Sequence, residues 1–423
     1  MTENMEAIKR KKKNIRLYLK YKMLSNDLLF FYAIDFLFLT QIKGFDVTTV
    51  VFAETIYTLF RFIFQIPCTI LVDRLKTKKA LIIGNISVAI YVLLLIFANN
   101  YSVIILANIF SAFGFALKSI CGPSLLYDLL PEGRGQGNMF SKIDGKGMAY
   151  YYILYAITSL IAGFLFVING YIPVILTLLI CIYSIYIVFK FKNLHEGNTN
   201  EKLSIVGQLK ELRSAFIYIF RSKRLSILIT FYSIVSGFMY CFVIFRKSLM
   251  ADVNISAEYF GIIFTVLGII SSIASANQNI FHKKFKNKTL SRLSNAFIVT
   301  CIISGIIVIL NLSYEITVLL LMAMFVIQYI VIDPFSSLTK RYLGNFSTST
   351  LRVKIYSATD LIYNAARGII GLVGTVLLSI TNTANTVIIL SSIIAIIVYF
   401  ILKQMKTRVG LRPEEYNKTD IEY

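Results

Sequence analysis

Long apolar runs separated by short polar breaks limit this chain more than any single residue does. A bilayer core of about 30 Å is crossed by about 20 apolar residues in an α-helix. Runs of that kind recur near 24–42, 48–72, 80–98, 103–127, 147–168 and 171–190, and again near 225–245, 256–280, 293–312, 314–338, 355–379 and 384–403. Twelve membrane helices are therefore expected, six on each side of a polar stretch. Composition agrees: of 423 residues, 57% are hydrophobic and only 15% charged, too few charges to cover a water-exposed surface of this size.

Charge placement tests the count independently, because cytoplasmic loops of membrane proteins collect Lys and Arg. With the N-terminus inside, 37 of the 43 Lys and Arg fall in inner segments. Lys43, Arg246 and Lys247 fall in outer loops, and Arg61, Lys118 and Arg367 within spans. An error of one helix would destroy this asymmetry, so both termini are expected in the cytoplasm. The net charge of +21 then reflects topology and anionic lipid. The basic residues form short clusters rather than a continuous face, and no nucleic-acid partner is expected.

The chain divides by composition into a basic N-terminus (1–23), a first six-helix bundle (24–190), a linker (191–224), a second bundle (225–403) and a tail (404–423). The apolar stretch after the N-terminus is too long for a signal peptide and lacks a small-residue cleavage site. It reads as a retained span. In the linker, Leu203, Val206, Leu209, Leu212, Phe216, Ile219 and Phe220 recur at helical spacing with Lys210, Arg213 and Arg221 between them. That pattern predicts an amphipathic helix on the inner membrane surface.

Several chemistries lack their residues. Cys68, Cys121, Cys181, Cys241 and Cys301 are isolated in apolar runs, which indicates packing rather than a disulfide framework or zinc site. There is no GxxxxGK[ST] phosphate loop for a primary pump, no aspartate cluster for a transferase, and no outer loop long enough for an active site. No enzyme activity, cofactor or metal is expected. The halves echo each other: Pro123 matches Pro334, and DRLKTKK (73–79) matches HKKFKNK (282–288). Repeated halves are a common way to build one transport site at the bilayer midplane.

The stretch QIPCTILVDRLKTKK (65–79) resembles the loop signature between helices two and three of the major facilitator superfamily, a Gly-x-x-x-Asp-Arg-x-Gly-Arg-Lys pattern. Asp73, Arg74 and Lys78 match it; Thr69 and Lys76 replace its glycines, and Thr77 a basic residue. Asp128, closing SLLYD (124–128), resembles an acidic position of drug-efflux-like members. The resemblance implies an all-α membrane protein, twelve transmembrane helices in two pseudo-symmetric six-helix bundles. Helices one, four, seven and ten would line the cavity, and helices two and eleven would meet across the half-interface. It also implies that Asp73, Arg74, Lys78 and Asp128 form a cytoplasmic gate of ion pairs.

Charges inside a membrane cost about 2.5 kcal/mol or more and default to function. Asp35 lies in helix one and Lys118 in helix four. Helix two carries Glu54, Thr58, Arg61 and Gln65 as one polar stripe, and helix eleven carries Ser357, Asp360, Asn364 and Arg367 as another. Asp35, Glu54, Arg61, Lys118, Asp360 and Arg367 are thus the candidate substrate- and proton-coupling residues. The carboxylates of Asp35 and Glu54 would carry protons, since His195 and His282 fall in cytoplasmic segments. Arg61, Lys118 and Arg367 would contact substrate or compete with protons. Static pairs, such as Asp35 with Arg61, are the alternative. Asp333, beside Pro334, is expected to cap a helix break, and Tyr150, Tyr151, Tyr152 and Tyr155 to anchor helix five at the interface.

The expectation is a monomeric, proton-coupled exporter of a small amphiphilic molecule, in contact with membrane lipids. An uptake symporter or lipid-linked flippase of the same fold is the alternative. A slight positive excess among the membrane charges leans toward an anionic or zwitterionic substrate. Rich Ile, Lys and Asn usage points to a bacterial cell membrane.

Overall fold

The computed structural model describes residues 2–130, 136–191, 213–214, 216–285, 288–345 and 349–408. Its elements are α1 (Thr2–Ser25), α2 (Asp35–Leu37) running into a π-helical turn (Phe38–Ile42), α3 (Val47–Leu75), α4 (Thr77–Ile96), α5 (Tyr101–Leu129), α6 (Gln136–Ile168) and α7 (Tyr171–Phe189). There follow α8 (Lys223–Asp252), α9 (Ala257–Ala276), α10 (Gln278–Phe285), α11 (Thr289–Ile309), α12 (Tyr314–Asn345), α13 (Ser349–Ile380) and α14 (Thr383–Arg408). Among the described residues, 11 helices are long and apolar enough to cross a membrane, each matching an expected span. Side-chain caps fix the starts of two of them: Asn100 accepts the Val103 N–H at 3.0 Å below α5, and Ser222 the Leu225 N–H at 3.2 Å below α8, satisfying amides that the helix itself leaves free.

The first expected span, 24–42, is not a continuous helix. The chain turns through 26–34, with Phe30 at a left-handed φ of 66°, before α2 and the π turn resume. Backbone that leaves the helix at membrane depth must find other partners, and here it does. Asp27 accepts the Leu28 N–H at 2.8 Å, and Thr177 of α7 donates to the Leu29 carbonyl at 2.7 Å. Asn85 of α4 holds the end of α1, accepting from Ser25 at 2.8 Å and donating to the Tyr21 hydroxyl at 3.0 Å. Hydropathy counts apolar residues and is blind to such partners, so it could not separate a broken span from a straight one.

Two further expectations are corrected. Arg246 and Lys247, assigned to an outer loop, lie inside α8, 0% and 2% exposed. The helix runs on to Asp252, and Gln328 of α12 accepts from the buried Arg246. Asp333 caps no break, since α12 continues through Pro334; its carboxylate instead accepts from Ser271 of α9 at 2.7 Å. Of the predicted linker helix, residues 203–212 lie outside the described residues, while 216–221 are helical. In the tyrosine cluster, Tyr150 and Tyr152 are exposed as anchors would be, but Tyr151 is buried and Tyr155 packs edge-on against Tyr32 at 6.0 Å.

The chain forms two compact units. The first comprises Met1–Gly44, Phe60–Ile205 and Ala257–Thr265. Within it α4 packs on α5 and α7. Gly84 and Gly114 allow the α4–α5 crossing, for a Cβ on Gly114 would stand 2.7 Å from the Gly84 carbonyl oxygen. The basic N-terminal segment is helical and packs on α6 and α7. Tyr18 donates to Asp144 at 2.9 Å, and the Lys22 ammonium lies 3.3 Å from the same carboxylate. Burial and the Asp144 charge hold the Tyr18 phenol well above its ordinary pKa.

The same unit joins α6 to the start of α9 almost backbone to backbone. A Cβ at Gly261 would lie 2.1 Å from the Ser159 carbonyl oxygen, and Thr265 donates to the Ala156 carbonyl at 3.1 Å. Small residues let membrane helices approach this closely. Gly261→Ala is therefore expected to cost about 2 kcal/mol through overpacking. A melting temperature of the purified protein equal to wild type would contradict this.

The second unit comprises Phe45–Leu59, Val206–Ser256 and Val266–Tyr423. In it α8 packs on α13 and α14, and α11 on α12 and α14. Its core is aromatic. Phe238 and Phe242 of α8 both set their rings edge-on to Phe297 of α11, at 5.7 and 5.8 Å, an arrangement favoured by the ring quadrupoles.

Candidate functional site

Each unit concentrates charge inside its membrane helices. In the second unit, Gly237 of α8 lets α13 come close: a Cβ there would stand 3.1 Å from the Arg367 amide nitrogen. One turn along α8, the ring of Tyr240 lies under the Arg367 guanidinium, 3.1 Å from its centroid, with Tyr57 of α3 at 5.6 Å. The guanidinium Nη2 reaches Glu54 Oε1 at 3.1 Å, and the Tyr240 hydroxyl donates to the same oxygen at 2.7 Å. Three helices thus converge on one carboxylate oxygen.

The pair is lopsided. The Arg367 side chain is 5% exposed and that of Glu54 is 37%. Arginine does not deprotonate in proteins, so its charge is fixed and sealed, whereas the carboxylate can be reached. A proton on Glu54 would remove the partner charge and leave Tyr240 as a neutral donor. The arrangement can therefore be switched at one end only.

In the first unit the charges gather around the break. Lys118 lies on α5 one turn beyond Gly114, with its ammonium 4.6 Å from the Phe115 ring centroid. The missing side chain of Gly84 leaves room for its stem. Asp27 sits in the non-helical segment within electrostatic reach of Lys118, Arg61 and Asp35, and Asp35 accepts its neighbour's Phe36 N–H at 2.6 Å. This cluster is two acids and two bases in apolar surroundings.

Of the six predicted residues, Glu54 and Arg367 meet directly, and Asp35, Arg61 and Lys118 share one electrostatic neighbourhood. Asp360 is exposed on α13, two turns before Arg367. Two members of the sites were missed. Asp27 belongs to no helical stripe, although Asn26 and Asp27 side by side at the head of an apolar run are a turn signal. Tyr240 was hidden in an aromatic-rich run, and nothing in its spacing marks it.

For the predicted cytoplasmic gate, the side chains of Asp73 and Asp128 lie outside the described residues. Arg74 is exposed. The Lys78 ammonium donates to the carbonyls of Phe189 and Phe191 at 3.0 and 2.6 Å, closing the C-terminal end of α7, where cations are favoured. Thr77, in place of the signature's basic residue, shares a hydrogen bond with Ser124 of α5 at 3.2 Å. Lys78→Ala should lower stability by about 1.5 kcal/mol, read as a lower melting temperature. An unchanged melt would mean that the two carbonyls are equally well served by water.

The model of the Major Facilitator Superfamily matches residues 23–370. No curated protein matches the chain in sequence. Among solved structures, the nucleoside transporter NupG (D323A mutant) superposes with a TM-score of 0.74 at 12% identity, covering 94% of this chain and all of its own length. A POT-family transporter in complex with a thioalcohol-conjugated peptide gives 0.63 at 14% identity, covering 95% of this chain and 96% of its own. A bacterial homolog of the human lysosomal transporter Spinster, inward-facing and occupied, gives 0.62 at 13%, covering 94% and 97%. Identities this low speak for the fold alone. The family match extends over most of the chain and agrees with its apolar spans and loop signature, and so this multi-pass membrane protein belongs to the Major Facilitator Superfamily.

Proposed function

We propose that the protein is a secondary active transporter that exports a small amphiphilic molecule by alternating access, driven by protons. One observation carries the coupling part of this reading: Glu54, partly exposed, holds both a sealed arginine and a tyrosine hydroxyl from two other membrane helices. Protonation of Glu54 releases Arg367, and the α3–α13 contact then loses its strongest bond. Substrate binding and proton binding compete for the same charge balance. That competition is the requirement for exchange.

Proteoliposomes under an imposed pH gradient test this. Wild-type protein should drive accumulation of a lipophilic dye only when the gradient is present. Glu54→Gln should lose gradient-driven accumulation by a factor of at least about ten, the lower end of what general acid–base groups contribute, while retaining substrate exchange without a gradient. Equal gradient response in both proteins would sink the coupling role. The likeness in fold to a nucleoside transporter and a peptide-bound transporter supports a second reading, proton-coupled uptake. It predicts solute and proton movement in the same direction across the liposome membrane.

A further inference from the structure

Arg246 takes no part in either cluster described above, yet among the described residues it is the largest fully buried side chain. Its Nε donates to Gln328 Oε1 of α12 at 2.9 Å, and Gln328 in turn donates to Ser304 of α11 at 3.4 Å. Its guanidinium lies 5.4, 5.8 and 4.8 Å from the ring centroids of Phe242, Phe325 and Tyr329. Nη1 and Nη2 are buried and, among the described residues, have no hydrogen-bond acceptor. The Tyr329 hydroxyl lies close enough to act on the guanidinium both by charge and as a weak side-chain hydrogen-bonding contact, but neither Nη atom makes a well-formed bond to it.

A buried cation without a carboxylate is costly, and each buried donor left unmade adds to that cost. The aromatic faces offset part of it. They cannot supply acceptors for the four N–H groups of the two Nη atoms. Those groups form the fork that matches two oxygens of a carboxylate or phosphate side by side, and the Gln328 bond to Nε fixes the direction of the fork. Asp333, one turn along α12 from Tyr329, accepts from Ser271 and forms no ion pair with Arg246.

We propose that Arg246 is the anchor for the anionic group of the transported molecule, an organic carboxylate or phosphomonoester whose apolar body packs against Phe242, Phe325 and Tyr329. This rests on the reading of the protein as an alternating-access transporter, since a side chain that is 0% exposed meets solute only when α8 and α12 part. The place where α12 can yield is close by. Pro334 interrupts its hydrogen bonds one turn beyond Tyr329, and Ser271 clips that turn by donating to both the Tyr329 carbonyl and Asp333, at 2.9 and 2.7 Å.

Thermal melts of the detergent-purified full chain test the proposal with benzoate and phenyl phosphate against their neutral counterparts, benzamide and benzyl alcohol. At least one anion should raise the melting temperature, by about 1.5 °C at tenfold excess over its Kd, and neither neutral compound should. Whichever anion acts identifies carboxylate or phosphate as the group recognised. Arg246→Gln should abolish the shift. Should that variant fail to fold, Arg246→Lys keeps the charge, loses the fork and should weaken anion affinity at least tenfold. The proposal is overturned if anions and neutral twins act alike on wild type, or if either variant keeps the full shift. Cysteine labelling from the two sides of the membrane tests alternating access separately: failed anion binding with intact alternating access removes only the anchor, whereas fixed one-sided access removes the transporter reading itself.

Discussion

Glu54→Ala should destabilise the protein more than Arg367→Ala, although Glu54 is the more exposed partner. Removing Glu54 leaves a permanent charge at 5% exposure with no carboxylate against it, and breaking a buried pair from that side costs about 3–5 kcal/mol. Removing Arg367 leaves a carboxylate at 37% exposure that keeps the Tyr240 hydroxyl and turns to water, a loss of about 1–2 kcal/mol. Denaturation of the two variants gives the order directly. The double variant should be less destabilised than the sum, by about 1.5 kcal/mol or more, because the residues are in contact. Equal single effects with simple additivity would mean that the pair contributes nothing as a pair.

Asp27 should show the second large effect, and two substitutions separate its causes. Asp27→Asn keeps an acceptor for the Leu28 N–H but removes the charge facing Lys118 and Arg61. Asp27→Ala removes both. The charge loss should cost about 3 kcal/mol, and the lost turn bond about another 1 kcal/mol. Lys118→Met placed on Asp27→Asn should recover part of the first loss, since it removes a cation left without its acid. Transport by Asp27→Asn should fall at least tenfold. If Asp27→Asn melts and transports like wild type, the cluster is a bystander of the break.

What could be read beforehand follows the physics of each signal. Apolar length reports transfer free energy into lipid, and it located eleven spans to within a turn or so at most ends. Loop charge reports topology, and it supported the count. The same signal misplaced Arg246 and Lys247, because a basic residue at the end of an apolar run looks the same whether it snorkels to water or, like Arg246, is received by Gln328 and a set of rings. The polar stripes on helices two and eleven offered Glu54 and Arg367, and these two side chains meet at 3.1 Å. They also offered Asp360, which is equally good by spacing and faces elsewhere.

The sequence by itself determined the class of solvent, the helical architecture and the residues on which charge would be expensive, because these depend on composition and periodicity along one strand of chain. Only the tertiary structure decided which charges meet, that the first span is broken around Asp27, and that Tyr240 bonds to Glu54 and Gln328 to Arg246. Periodicity assigns a residue to a face of its own helix. The neighbour that face finds depends on glycine contacts such as Gly237 with α13 and Gly84 with Gly114, which set how near the helices come and in what register, and no local pattern encodes that.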